Sequence, residues 1–187
     1  MPAARTVIVA ASMVLWLGGC AITPGSSTTA PQYDLALRTL SGEAQRLSAF
    51  RGRPTLLHFW ATWCATCREE MGSLAHVVRE VSEIEVVAVA VEDDSEAVVR
   101  FIEAEKLPFP VLLDEGEARA RFSITTLPFT VFLDRDGAPI RFLDPASGAP
   151  VTELAEPRYW GSRAALERVR TSIARSESVK LARVNED

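Results

Sequence analysis

Apolar residues along the centre of the chain follow two patterns, which are unbroken runs and a helical spacing. Thr55–Trp60 and Glu85–Val91 are apolar nearly throughout, as expected of strands covered on both faces. Between these runs, apolar residues recur at i, i+3, i+7 and i+10 from Met71. That spacing predicts a helix from Cys64 to about Val81.

Shorter elements are predicted on both sides of this centre. Leucines around a Ser41-Gly42 turn predict an N-terminal hairpin. Further elements are predicted in chain order: a helix capped by Asp93-Asp94-Ser95 that runs to about Glu105, an extended piece Pro110–Leu113, a short helix Glu115–Phe122, strands Phe129–Asp134 and Pro139–Leu143 around a turn at Arg135-Asp136-Gly137, and a final helix after Ser162. Residues 144–161 lack a clear period and predict a long loop. This order favours an α/β fold with a mixed central sheet and helices on both faces.

The first 32 residues lack the strand and helix patterns of the rest of the chain. Residues 1–19 carry one charge, Arg5, before an apolar stretch too short to span a bilayer, and they predict a signal peptide. The ending Leu17-Gly18-Gly19-Cys20 resembles the lipobox of bacterial lipoproteins, which implies cleavage before Cys20 and lipidation of its sulfur and amino group. An ordinary secretory signal and an uncleaved anchor are the alternatives. Residues 20–32 then predict a flexible tether, residues 33–176 the folded domain and residues 177–187 a charged tail.

Charge and cysteine content limit the classes of function that this chain can have. The 187 residues carry a formal net charge of −5, and the scattered Lys and Arg residues argue against a nucleic-acid partner. A chain that begins at Cys20 is long enough for one domain with a proper core. If Cys20 carries lipid, Cys64 and Cys67 are the remaining cysteines. One pair is too few for a structural disulfide framework and indicates redox chemistry.

Cys64 and Cys67 are predicted to lie where a strand passes into a helix. The free N–H groups and the positive dipole end of a helix N-terminus favour thiolate over thiol. We therefore expect Cys64 to be the nucleophile and Cys67 to be the resolving thiol one turn later. A structural disulfide and half of a metal site are the alternatives, but zinc would need two more ligands. The two histidines, His58 and His76, have no recognisable ligand spacing, so we expect no metal or cofactor.

Three segments resemble the membrane-anchored, thioredoxin-like reductases of the TlpA/ResA type: Phe59–Cys67, Phe109–Asp114 and Leu127–Asp134. The resemblance covers roughly residues 33–173 and implies a thioredoxin-like fold with an added N-terminal hairpin. It also implies a thiol–disulfide oxidoreductase that reduces protein disulfides through a Cys64–Cys67 disulfide couple, for example in cytochrome c maturation or metal-centre assembly. The implied partners are a protein disulfide substrate and a membrane electron donor of the DsbD/CcdA kind. We expect a monomer in the periplasm, held to the inner or outer membrane by lipid on Cys20.

The resemblance extends to the substrate groove. It implies that Pro128 is a cis-proline beside the disulfide and that its peptide bond exposes the backbone of Leu127 to a substrate peptide. A trans proline at the start of an ordinary strand is the alternative. Leu127 is expected to form an apolar lip of the groove, and Trp63 an exposed wall. Ala65-Thr66 departs from the family, since many relatives have proline at the second of these positions, and this leaves the direction of electron flow open.

Two residues are candidate proton partners of the cysteines. His58 lies six positions before Cys64, where thioredoxins carry a buried carboxylate, and a neutral core histidine is the alternative reading. Asp93 aligns with an acidic residue that lies near the cysteines of ResA-like relatives, and it could instead cap the following helix. Other polar and aromatic residues are expected to be structural: Arg68, Glu69 and Glu70 on a solvated helix face, and Tyr159 and Trp160 in packing or, alternatively, in a recognition patch.

Two other functions compete with disulfide reduction. A copper metallochaperone would use the same cysteines, but it needs a third soft or imidazole ligand, and no His or Met follows His76. A thiol peroxidase of the peroxiredoxin type would have Thr three positions before the reactive cysteine, where this chain has Ala61. The sequence therefore favours disulfide reduction.

Overall fold

The computed structural model describes residues 33–184. The predicted signal peptide, Cys20, the tether and the last three residues lie outside the described residues. Within the described range, no helix is both long enough and apolar enough to cross a bilayer.

The described segment contains ten strands and four α-helices. The strands are β1 (Ala36–Thr39), β2 (Ala44–Arg46), β3 (Thr55–Trp60), β4 (Glu85–Ala90), β5 (Val111–Asp114), β6 (Phe129–Leu133), β7 (Pro139–Ile140), β8 (Phe142–Leu143), β9 (Pro150–Val151) and β10 (Glu153–Leu154). The helices are α1 (Ala65–Glu80), α2 (Ser95–Glu105), α3 (Ala118–Phe122) and α4 (Arg163–Val184).

The strands form a mixed central sheet, and this confirms the predicted fold class. Seven strands lie side by side in the order β10-β6-β3-β4-β5-β1-β2, and β7 also pairs with β6. The central strands β3, β4 and β5 are parallel, whereas β6, β1, β2 and β10 pair antiparallel with their neighbours. The hairpin β1–β2 therefore extends the sheet at one edge, as predicted. The carboxyl end of β3 lies in the middle of the sheet and delivers the first cysteine.

Two buried layers cover the faces of this sheet. Alternate residues of β3 face opposite layers: Leu56 and Trp60 belong to the layer beneath α1, α2 and α4, and Leu57 and Phe59 to the layer beneath α3. Both cysteines belong to the first layer. The redox pair is therefore held by the larger of the two cores.

The loop predicted over residues 144–161 differs from expectation. It contains β9, which pairs with β8, and β10, which pairs with β6 and forms an edge of the sheet. Strands of two residues are too short to show alternation, so no sequence period marks them. The last helix also runs to Val184, into the segment predicted as a tail.

Candidate active site

The two cysteines lie at the point where β3 passes into α1. Cys64 is the N-cap of α1, Cys67 lies in its first turn, and a disulfide joins them. The sulfur of Cys64 accepts a hydrogen bond from the Cys67 N–H at 3.2 Å. Cys64 is 8% exposed, whereas Cys67 has no exposed surface. Cys64 is therefore the more accessible of the two cysteines, which agrees with the predicted roles of nucleophile and resolving thiol.

Thr66, one of the two residues between the cysteines, adds a second polar contact to the outer sulfur. Its hydroxyl oxygen lies 3.5 Å from the Cys64 sulfur. In the reduced protein, the Thr66 hydroxyl and the Cys67 N–H are both placed to donate to a Cys64 thiolate. Hydrogen bonds of this kind favour a thiolate over the neutral thiol.

The segment before β6 has the conformation that the family resemblance implies. The peptide bond between Leu127 and Pro128 is cis. Pro128 is buried, and Leu127 is half-buried and packs against both core layers. Because β6 pairs with β3, this segment lies directly before the strand that neighbours β3, the strand that leads into the cysteines. Its contact with substrate remains a prediction.

Trp63 is held in an exposed position beside Cys64. Its side chain is 59% exposed, and its indole Nε1–H donates to the carbonyl oxygen of Glu92 at 3.2 Å. Glu92 has a left-handed backbone with φ of 52°, and its carboxylate accepts from Arg119 at 2.7 Å. The loop between β4 and α2 therefore anchors an aromatic surface next to the reactive sulfur.

Asp93 fastens the loop that precedes Cys64. Its carboxylate accepts from the Thr62 backbone N–H at 2.5 Å and from the Thr62 hydroxyl at 2.6 Å. The N-cap of α2 is Asp94 and not Asp93. These contacts make Asp93 a clamp on the redox loop, and proton exchange with a cysteine remains a prediction.

A pair of variants separates the two roles of Asp93. If it is a clamp, Asp93→Ala and Thr62→Val each lower the free energy of unfolding by about 1–2 kcal/mol, and the double variant loses less than the sum. Urea unfolding measures this coupling. Asp93→Asn keeps one acceptor oxygen and should leave the pH profile of disulfide exchange unchanged. A shifted profile with little loss of stability would instead identify a proton partner.

His58 is a fully buried, neutral core residue. Its Nδ1 lies 2.9 Å from the hydroxyl oxygen of Thr130, while its Nε2 has no hydrogen-bond partner within residues 33–184. Burial lowers its pKa to about 3. Strand alternation places it on the same face as Leu56 and Trp60, beneath α1. With so low a pKa, His58 is a poor proton acceptor near neutral pH.

Glu70 was expected on a solvated helix face, and this prediction is wrong. Its side chain is buried, whereas Arg68 and Glu69 are exposed as predicted. Glu70 Oε1 accepts from the Trp160 indole N–H at 2.5 Å, and Oε2 is buried without a partner in the described segment. Burial raises the pKa of Glu70 to about 7, opposed by the hydrogen bond from Trp160. This carboxyl can hold or release a proton near neutral pH.

The sequence did contain a signal for Glu70. It lies three residues after Cys67, and residues at i and i+3 share a helix face. Met71 and Leu74, which are both buried, mark the same inward face. Two adjacent glutamates, Glu69 and Glu70, suggest a charged face that points to solvent. Helical spacing nevertheless places Glu70 on the buried face of α1 and Glu69 on the exposed one.

The two adjacent aromatic residues near the end of the 144–161 segment, Tyr159 and Trp160, differ in exposure. Trp160 has no exposed surface, which confirms the packing interpretation for this residue, whereas Tyr159 is 67% exposed. Within residues 33–184, no group of three His, Cys, Asp or Glu side chains is arranged to hold a metal ion.

Known proteins share this sequence and fold. Residues 27–142 match the AhpC/TSA family. The thioredoxin-like protein YneN of Bacillus subtilis (strain 168) is 37% identical over 108 residues, which are 56% of this chain and 64% of YneN, just under two thirds of its length. The thiol-disulfide oxidoreductase ResA of Geobacillus kaustophilus (strain HTA426) is 33% identical over 120 residues, 63% of this chain and 67% of ResA. The crystal structure of a secreted Mycobacterium tuberculosis disulfide oxidoreductase has the same fold, with a TM-score of 0.58 at 23% identity over 78% of this chain and 98% of that one.

Proposed function

This chain belongs to the AhpC/TSA family and to its ResA-like, thioredoxin-fold members, and we propose that it is a thiol–disulfide oxidoreductase that reduces protein disulfides. One observation carries the proposal: a Cys64–Cys67 disulfide at the N-terminus of α1, in which Cys64 is 8% exposed and Cys67 is completely buried. That asymmetry suits a pair that alternates between dithiol and disulfide. A purely structural crosslink gains nothing from an accessible sulfur at a helix N-terminus.

The proposed reaction has two exchange steps. The Cys64 thiolate attacks a substrate disulfide, so that a Cys64–substrate disulfide forms and one substrate sulfur leaves as a thiolate. The Cys67 thiol then loses its proton and attacks the Cys64 sulfur. The bond from Cys64 to the substrate breaks, the second substrate sulfur leaves as a thiolate, and Cys64–Cys67 becomes the disulfide. Two electrons have passed to the substrate, and a membrane electron donor would return the pair to the dithiol.

The site supplies each step with a specific group. The helix N-terminus, the Cys67 N–H and the Thr66 hydroxyl favour the attacking thiolate of Cys64. The exposed Trp63 indole and the backbone at Leu127 offer an apolar wall and hydrogen-bonding groups to an extended substrate peptide. Glu70 supplies a carboxyl with a pKa near neutrality on the buried side.

The sequence and the relatives support a proposed setting for the reaction. The ResA relative is named as a thiol-disulfide oxidoreductase, and the lipobox at Cys20 favours a domain tethered to the cell envelope and facing the periplasm. A reductant in that place would act on cysteine pairs that the compartment oxidises, such as haem-attachment thiols of apocytochrome c or metal-centre assembly proteins. A monomer is sufficient for this chemistry, because one chain carries both cysteines.

The direction of electron flow is measurable as the reduction potential of the Cys64–Cys67 couple. We expect a value near that of thioredoxin, about −270 mV, whereas a value near about −120 mV would indicate an oxidant of the DsbA kind. The protein is equilibrated in dithiothreitol or glutathione redox buffers, and the dithiol fraction is counted by the mass added on alkylation. The oxidising value would overturn the reducing direction while leaving thiol exchange intact.

A further inference from the structure

A buried hydrogen-bond cluster links the redox helix to the segment of residues 144–161, here called the strap. Trp160 in the strap donates its backbone N–H to the Ser73 hydroxyl at 3.2 Å and its indole N–H to Glu70 at 2.5 Å. The Ser73 hydroxyl donates in turn to the Glu70 carbonyl at 2.8 Å. All three residues are at most 5% exposed. Trp160 is therefore joined to α1 by two hydrogen bonds, one turn beyond the cysteines.

The strap is itself held in place by contacts that precede Trp160. Asp144 accepts from Arg158 at 3.1 Å and from two backbone N–H groups of its own turn. Strand β10, within the strap, pairs with β6, the strand that follows Pro128. A fixed strap gives the Trp160 indole a fixed position.

The charged and titratable groups around Glu70 come from several elements. The strap contributes Arg158, whose backbone N–H and side-chain charge both favour the carboxylate of Glu70, and whose guanidinium is paired with Asp144 and Glu156. Strand β3, which lies beneath α1, carries the neutral His58, and α1 itself carries Cys67 three residues before Glu70. On α4, Arg168 donates to the carbonyls of Pro145 and Ala146 in the strap, and Arg170 donates to the Glu80 carbonyl at the far end of α1. The indole N–H of Trp160 is thus the contact that most directly stabilises the Glu70 carboxylate.

We propose that Trp160 is a positioning residue for the redox pair, which holds the Glu70 carboxylate one helical turn from Cys67 and so controls proton transfer on the buried side of the couple. This inference rests on the proposed function, since it concerns the second exchange step. In that step the Glu70 carboxylate takes the proton of the Cys67 thiol. The thiolate then attacks the Cys64 sulfur, and the substrate leaves as a thiolate that takes a proton from water.

Removing only the N–H of Trp160 tests this role. Trp160→Phe keeps a buried ring but removes the donor, so the Glu70 carboxylate loses a charge-assisted hydrogen bond. We expect its titration midpoint, near pH 7 in the oxidised wild type, to rise by about one pH unit or more. Carbon-13 NMR of glutamate-labelled protein measures the midpoint, and Glu70→Gln assigns the resonance by its disappearance.

The exchange rate provides the functional measurement. In protein carrying glutathione on Cys64, we expect Trp160→Phe to slow glutathione release about fivefold or more at pH 7 and to approach the wild-type rate above pH 8. The matched control is Trp60→Phe, because Trp60 is equally buried and its indole N–H has no partner in the described segment. This control should leave the midpoint of the pH profile where it is in the wild type. Ser73→Ala, which keeps the indole but frees the Trp160 backbone N–H, should shift the midpoint in the same direction by less.

The outcomes separate this inference from the proposed function. An unmoved Glu70 midpoint in Trp160→Phe, or a rate that falls equally at every pH, would overturn the positioning role. If Trp160→Phe does not fold, an unshifted profile in Ser73→Ala together with an unchanged profile in Glu70→Gln would overturn it. A wild-type protein that never exchanges thiols with glutathione disulfide would defeat the proposed function, whatever the Glu70 titration shows.

Discussion

Replacing Cys64 with serine is expected to abolish disulfide reduction altogether. A serine hydroxyl cannot form a mixed disulfide, and Cys67 has no exposed surface with which to attack a protein substrate. Reduction of insulin disulfides by dithiothreitol, followed as turbidity of the released chain, should fall to the rate of dithiothreitol alone. A Cys64→Ser variant that kept the wild-type rate would end the assignment of nucleophile.

Replacing Cys67 with serine is expected to give a different defect. The first exchange step remains possible, but the mixed disulfide cannot be resolved, so covalent adducts with substrates should accumulate. Non-reducing gels and mass spectrometry identify them, and reductant should release them. Adducts at equal levels in Cys64→Ser would contradict the division of roles.

Cys20→Ser is the matched control for both substitutions. It makes the same chemical change at a cysteine outside the described residues, and insulin reduction should proceed at the wild-type rate. The same variant should lose partition into the detergent phase if Cys20 carries lipid. Equal partition with and without Cys20 would remove the lipid anchor from the proposal and leave the redox assignment intact.

The elements that the sequence predicted best are those with long, strong patterns. Strand β3 has the predicted bounds, Thr55–Trp60, because a nearly unbroken apolar run next to a helical period leaves little ambiguity. Helix α1 begins at Ala65, next to the predicted start at Cys64, because the cysteine sulfur caps it. Chemistry that depends on local order along the chain can therefore be predicted from the sequence alone.

The parts that escaped prediction depend on distant residues. Glu70 is buried because Trp160, ninety positions later in the chain, covers it and donates to it. Strand β10 exists because β6 offers an edge, and two residues carry no period of their own. Asp93 was expected near the cysteines from its spacing, but only the structure shows that Thr62 occupies its carboxylate. The reacting cysteines can be predicted from the sequence, whereas the groups that surround them and affect their reactivity depend on the tertiary structure.

His58 should make the protein lose stability in acid. Burial lowers its pKa to about 3 in the folded state, from 6.5 in the unfolded chain. Between pH 6.5 and pH 3, His58 is therefore protonated in the unfolded state but not in the folded state. Its contribution to the free energy of unfolding is fully present above pH 6.5 and is lost as the pH falls towards 3. The complete loss attributable to this one residue is about 4–5 kcal/mol, since each pKa unit corresponds to about 1.4 kcal/mol.

The measurement is the free energy of unfolding in urea, followed by circular dichroism from pH 8 to pH 3. His58→Asn retains a hydrogen-bonding group for Thr130 but does not titrate, so its stability should fall less steeply below pH 6.5 than that of the wild type. His76→Asn is the matched control, because it makes the same substitution at an exposed position on α1. Glu70 acts in the opposite sense, because its raised pKa costs stability as the pH rises through about 7. This contribution is common to all three proteins and cancels in the comparison. Identical slopes in wild type and His58→Asn would show that His58 does not resist protonation, and the case for a neutral core histidine would fall.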